Sequence, residues 1–367
     1  MNANPKYNLL FNQIVDEDYL RNELARLNRI YSRRYRYPVI PQPYFENYYQ
    51  NLLNVIKNCN HQFHGYATRD IYDGHSGKVR TLHIPEINDR LYESVIMKIV
   101  EPSFSSQGSN RWTRIPYASI TGRGLSACIR AIKNYIGCCS LIKQPWALKL
   151  DIRKYYESID HNRMNEVIDR YFKNDRIVGT HLKQIVASFN QGLPIGTYSS
   201  QFLANLYLAD LDFMCAQLDN DNRCNVVRYM DDIIVICSDY IKLLEMQKTI
   251  TNWCTGVGLA LHEPIVANLA GGNLIQMCGM MFGHNGVWIA PVTKSHMIHQ
   301  YNEIVAHIKC GVVTDLDLGR AAALKGWISN STEQVLLNSM HFPDLIPQLT
   351  QILHGDYDDR QRSYLEQ

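Results

Sequence analysis

At 367 residues, 46 % of them hydrophobic, the chain is too long for one small core and predicts two or three subdomains around a cleft. A formal charge of +2 excludes gripping a polyanion through bulk charge, so any cationic surface must be local or shared with a partner. Ten cysteines without a CxxC pair exclude a zinc ribbon or a stapled scaffold, and predict reduced, mostly buried thiols in a cytoplasmic protein. No stretch reads as a signal peptide or as a bilayer-spanning run.

In chain order, Leu20, Leu24, Leu27 and Ile30 recur at helical spacing, as do Phe45, Tyr49, Leu52 and Ile56. Between them, Tyr31-Ser32-Arg33-Arg34-Tyr35-Arg36-Tyr37-Pro38 interleaves arginine with tyrosine. That composition suits base stacking and phosphate contact through Arg33, Arg34 and Arg36. A helix end with packed tyrosines and solvated arginines fits it equally well. Asp73-Gly74-His75-Ser76-Gly77 predicts a hairpin tip ahead of a strand over 79–84. The segment 117–124 opens a helix with Leu125, Cys128, Ile129 and Ile132 inward; its glycines could let a phosphate approach the helix start.

Trp146-Ala147-Leu148-Lys149-Leu150-Asp151 reads as a short strand ending in a carboxylate, followed by a polar, aromatic turn. Asp160 then predicts an N-cap for a helix that turns Met164, Val167, Ile168 and Phe172 inward. Further on, Val226-Val227 and Ile233-Ile234-Val235-Ile236 flank Arg228-Tyr229-Met230-Asp231-Asp232, a strand–turn–strand pattern with two adjacent carboxylates at its bend. Alone, such a pair is most simply a solvated turn. Like charges against an apolar hairpin resist desolvation unless a cation neutralises them. An all-oxygen donor set suits Mg²⁺. Asp151 completes the set for a two-metal site, in which ions about 3.5–4 Å apart clamp the attacking and leaving oxygens of a phosphoryl transfer.

Together these segments resemble reverse transcriptases, RNA-templated DNA polymerases. Tyr229-Met230-Asp231-Asp232 is similar to their motif C, and the run from Leu150 to His161 to motif A of the bacterial branches. Gln191-Gly192-Leu193-Pro194-Ile195-Gly196, continuing through Ser200-Gln201-Phe202-Leu203-Ala204-Asn205, resembles motif B, and Lys78-Val79-Arg80 with Asn88-Asp89-Arg90 resembles the fingers. The resemblance covers about residues 70 to 290. It implies an α+β right-hand polymerase: an N-terminal helical extension (1–65), fingers (66–145), a palm of antiparallel sheet packed on helices (146–290, interleaved with the fingers) and a helical thumb (291–367).

The resemblance also implies roles. Asp151, Asp231, Asp232 and the Ile152 carbonyl would hold two Mg²⁺ ions, with Mn²⁺ an alternative. Lys78 and Arg80, with Arg90 a weaker candidate, would bind the triphosphate of an incoming dNTP. Tyr156 would lie under its sugar and exclude a 2′-hydroxyl, leaving Tyr155 to packing, while Ile195 and Gly196 would complete the nucleotide site. Ser200, Gln201 and Lys294 are candidate contacts to template RNA or the RNA/DNA hybrid, and Lys309, Arg320 and Lys325 to the duplex backbone, with short helices over 316–328 and 335–345.

Two departures stand out. Ile195 occupies a position where most of the family has glutamine; an aliphatic residue there resembles the enzymes of diversity-generating retroelements, and some defence-associated relatives share a similar pattern. Isoleucine cannot hydrogen-bond the nucleotide. No lysine or arginine lies between Lys248 and Lys294, where the family has a lysine thought to protonate pyrophosphate; His262 is the candidate acid there. The sequence predicts a polymerase that copies an associated non-coding RNA in antiphage defence, with an accessory protein or a second copy as partner. A mutagenic retroelement enzyme and a template-independent or protein-primed nucleotidyl transferase are the alternatives.

Overall fold

The computed structural model describes residues 8–73, 78–105, 112–142, 144–218, 224–333 and 345–353, with the backbone alone at Asp73, Lys78, Leu141 and Ile142. The predicted tip at Gly74–Gly77 and most of the predicted helix over 335–345 lie outside these residues.

Three helices open the chain: α1 (Leu9–Ile14), α2 (Glu17–Tyr35) and α3 (Phe45–Asn58). Asp16 accepts the Tyr19 amide and caps α2, and Leu20, Leu24 and Leu27 are buried along one face. Ile30, expected to join them, is 45 % exposed, because Tyr31, four residues after Leu27, takes the inward place. A long hairpin follows, β1 (Tyr66–Asp73) paired antiparallel with β2 (Lys78–Pro85). Tyr72 and Val79 near its far end are about two-thirds exposed, so the hairpin stands clear of the core. Next come α4 (Ile87–Ser105) and α5 (Leu125–Ile142), the latter burying Cys128, Ile129 and Ile132 as predicted.

Strand β3 (Trp146–Asp151) leads to the helices α6 (Tyr155–Ser158), α7 (His161–Tyr171), α8 (Arg176–Ala187), α9 (Tyr198–Tyr207) and α10 (Ala209–Leu218). Asp160 caps α7 by accepting the Arg163 amide at 2.8 Å. The hairpin β4 (Cys224–Tyr229) and β5 (Asp232–Cys237), helix α11 (Tyr240–Gly256) and strand β6 (Ile265–Asn268) complete a four-stranded antiparallel sheet of order β4-β5-β3-β6. A three-stranded meander, β7 (Ile275–Met277), β8 (Met280–Gly283) and β9 (Gly286–Ile289), precedes α12 (Pro291–Lys309) and α13 (Asp315–Ser329).

Register decides which side chain meets which layer. Residues opposite one another in a ladder share a face, and the face alternates along each strand. Leu150, Ile233 and Arg228 therefore point to one side, where they join α7–α11 and the N-terminal helices in one core. Ala147, Val227, Ile234 and Ile236 point to the other, against α5, the meander, α12 and α13. The same register sets Cys224 opposite Cys237, and the two are disulfide-linked. That corrects the expectation of wholly reduced thiols, since cross-strand pairing depends on register and leaves no trace in cysteine spacing. No described helix is long and apolar enough to cross a membrane.

Candidate active site

The register that builds the sheet also builds the site. Asp151, the last residue of β3, lies directly opposite Asp232, the first of β5, and Asp232 is in turn opposite Tyr229. Met230 and Asp231 form the two-residue turn between them, and Met230 takes φ 55°. A left-handed residue with a side chain costs roughly 1–2 kcal/mol, so such a turn persists only where its surroundings hold it. The Ile152 amide donates to the Asp231 carbonyl at 3.3 Å, tying β3 to the turn.

Three carboxylates thus meet at one end of the sheet. Burial, then the charges of Asp232 and Asp151, push Asp231 up to about 6, with Arg80 acting the other way. Burial also raises Asp232, against the nearby Lys149. Lys149 Nζ lies 2.9 Å from Asp232 Oδ1. Among the described residues no group of three His, Cys, Asp or Glu side chains is placed to hold a metal ion, and Asp232 is turned toward Lys149. The donor chemistry nonetheless fits a hard divalent cation: crowded carboxylate oxygens with positive charge from one lysine and one arginine at their edge.

The other predicted residues fall into three groups. Tyr156 belongs to the site. Its hydroxyl lies 3.9 Å from Met230 Sδ, and it is pushed up to about 12 by burial and by Asp231, with Arg80 opposing. Tyr155 is buried and donates to the Ala204 carbonyl, as expected of a packing residue. Ile195 and Gly196 reach the hairpin: the His83 amide donates to the Ile195 carbonyl at 2.7 Å, and a Cβ on Gly196 would sit 3.1 Å from the His83 carbonyl. His262 is exposed, and its backbone amide donates to the Asp151 carbonyl at 2.8 Å, which lays its loop beside the site. Lys78 has only its backbone described.

Arg33, Arg34 and Arg36 are exposed at the end of α2, where the rings of Tyr31, Tyr35 and Tyr37 stack in succession and the Arg90 guanidinium donates to the Tyr35 hydroxyl. Packed tyrosines and solvated arginines coexist there. A groove of about 470 Å³ runs from Tyr31, Arg34 and Tyr35 past Arg69 and Arg90 to Gly196. Gln201 is exposed.

One predicted contact needs correction. Ser200 is 1 % exposed and hydrogen-bonded to Thr197, the N-cap of α9, so it serves the helix start instead of a nucleic acid. Lys294 is partly exposed and pairs with Glu333 at 2.6 Å. Sequence reading missed Gly192 and Arg228. Gly192 has φ 67°, and a Cβ there would lie 2.2 Å from the Tyr156 carbonyl, so the loop before α9 rests directly on motif A backbone. An arginine within an apolar strand was the available signal for Arg228.

The family described as reverse transcriptase (RNA-dependent DNA polymerase) matches residues 70–264, more than half of the chain. The chain belongs to that family. Protein YkfC of Escherichia coli (strain K12) is 23 % identical over 146 residues, 37 % of this chain and 37 % of YkfC. The group II intron-encoded protein LtrA of Lactococcus lactis subsp. cremoris is 21 % identical over 233 residues, 54 % of this chain and 37 % of LtrA. The alignment thus spans little more than a third of either relative. Telomerase from Candida albicans, solved with a fragment of telomeric RNA, aligns with 85 % of this chain and 64 % of its own at 10 % identity and a TM-score of 0.47. In this reverse transcriptase family member, helices pack on both faces of the antiparallel sheet that carries the carboxylates.

Proposed function

We propose that the chain is an RNA-directed DNA polymerase that copies a template RNA into cDNA from dNTPs. The observation that carries this reading is the register Asp151 opposite Asp232, with Asp231 in the adjoining turn and Tyr156 and Arg80 beside it. Asp151, Asp231, Asp232 and the Ile152 carbonyl would hold two Mg²⁺ or Mn²⁺ ions. Bound there, such ions would acidify a primer 3′-hydroxyl and neutralise the triphosphate and the leaving pyrophosphate. Arg80, with Lys78, clamps the triphosphate where negative charge spreads over its oxygens. Tyr156 bars a 2′-hydroxyl, favouring dNTP over NTP. His262, on the loop bonded to Asp151, protonates pyrophosphate, and Arg34 with the stacked tyrosines guides the single-stranded template through the groove.

The cellular role we favour is antiphage defence through copying an associated non-coding RNA, with an accessory protein or a second copy of the chain as partner. Ile195 supports a second reading, a mutagenic polymerase of a diversity-generating retroelement: without a hydrogen-bonding side chain there, selection at the templating base relaxes. Primer extension tests both. Purified protein should extend a primer on RNA with dNTPs and Mg²⁺, fail without template, and lose at least about a thousandfold in rate as Asp231→Asn at unchanged fold. Template-independent extension, or an active Asp231→Asn, would overturn the polymerase reading. Replacing Ile195 with Gln should reduce misincorporation under the second reading, and an unchanged error spectrum would remove it.

A further inference from the structure

The largest side chain fully withdrawn from solvent is Arg228, the residue just before the Tyr-Met-Asp-Asp turn, at 1 % exposed. Its register turns it away from the carboxylates, into the helical layer. There its guanidinium makes four hydrogen bonds. Nε and Nη2 form a bidentate pair with Asp212 of α10, at 2.8 and 2.6 Å to the two carboxylate oxygens. Nη1 donates to Asn205 Oδ1 of α9 at 3.1 Å and to the Met230 carbonyl at 3.0 Å. Asp212 and Asn205 are 2 % and 1 % exposed, and Asn205 Nδ2 is itself fixed on the Ala118 carbonyl at 2.9 Å.

A buried ion pair is seldom the most stable filling for such a space; apolar side chains of similar volume do as well or better. What apolar side chains cannot do is hold a carbonyl in place. Met230 is the left-handed residue of the turn, and its carbonyl belongs to the same peptide unit as the Asp231 amide. Fixing that carbonyl fixes the plane of the Met230–Asp231 peptide, and with it the direction in which the Asp231 side chain leaves the backbone.

We infer that Arg228 is a positioning residue for the carboxylate site: anchored by Asp212 and Asn205, it clamps the strained Met230 peptide from behind and so aims Asp231. This rests on the polymerase reading for its consequence in catalysis, but not for its geometry. It also ties the end of motif B to the catalytic turn through one guanidinium, so that α9 and the hairpin cannot shift independently.

Two substitutions separate positioning from simple packing. Arg228→Lys keeps a charge for Asp212 but cannot fork to Asp212, Asn205 and Met230 together. The pair Arg228→Met with Asp212→Leu removes both buried charges and so avoids leaving one unpaired. In the full-length protein, both should lose about tenfold or more in kcat while KM for dNTP and for primer–template stays within about twofold. Independently of turnover, calorimetric affinity for Mn²⁺ alone should fall about tenfold, and amide hydrogen exchange at Asp231 and Asp232 should quicken by a similar factor. A folded variant with wild-type Mn²⁺ affinity and exchange would overturn the inference, as would loss of the whole fold in both. A wild-type protein that binds Mn²⁺ but extends no primer would count against the polymerase reading and leave these two measurements to judge Arg228.

Discussion

Lys149 and Arg228 are each the one basic residue of their strand, they sit two strands apart in the same sheet, and they do opposite jobs. Lys149 points to the carboxylate face, is partly solvated, and makes a single ion pair with Asp232. Arg228 points to the helical face, is sealed from solvent, and makes four hydrogen bonds to three partners. A single contact from a flexible ammonium is exchangeable; a guanidinium fork in a closed core is not. The sheet therefore has a front where charge pairs can be traded for a ligand and a back where they cannot. The site is adaptable because its support is fixed.

The strongest way to break that contrast is to disturb the support directly. Gly192→Ala places a methyl 2.2 Å from the Tyr156 carbonyl and 2.8 Å from Glu157 Cα, in a residue whose φ of 67° disfavours any side chain. Backbone on both sides cannot yield cheaply. We expect destabilisation of about 4 kcal/mol or more, beyond the usual range for a point change, and loss of the motif A geometry. Equilibrium denaturation measures it, and a variant within about 1 kcal/mol of the parent would show that the loop can move. A sharper test of the front is Lys149→Met. Removing a cation that competes for Asp232 should tighten Mn²⁺ binding about fivefold by calorimetry, because the unscreened carboxylates then favour an ion more strongly. Unchanged or weaker binding would mean that Lys149 orients Asp232 and does not compete for it.

Much of this arrangement was legible beforehand, and the limits have physical causes. The apolar runs around the Tyr-Met-Asp-Asp turn and the strand ending at Asp151 announced themselves by composition, as did the Asp160 cap and the inward faces of α2, α3 and α5. What composition could not supply was register. Register pairs Lys149 with the carboxylates and sends Arg228 behind them; it also joins Cys224 to Cys237. Ser200 looks polar in sequence, yet Thr197 and the core close over it in the first turn of α9. Nothing in sequence marks the constraint on Gly192, which comes from the Tyr156 backbone lying against it.

A last expected effect concerns a buried carboxyl of α4, and it has a pH signature. Glu93 of α4 is 2 % exposed, accepts a hydrogen bond from Ser199 at 2.6 Å, and is raised to about 7, chiefly by burial, with the Ser199 bond opposing. A carboxyl whose folded value lies above its unfolded value of 4.5 holds more protons when folded, so stability falls as pH rises between those values. Below the unfolded value the two states are equally protonated; above about 7 the full penalty for a buried carboxylate applies. Glu93→Gln keeps the shape and the acceptor for Ser199 but cannot ionise. Relative to the parent, it should therefore gain about 2–3 kcal/mol on going from pH 5 to pH 8. Denaturant midpoints at the two pH values measure that difference. A gain that is the same at both would show that Glu93 stays charged through this range.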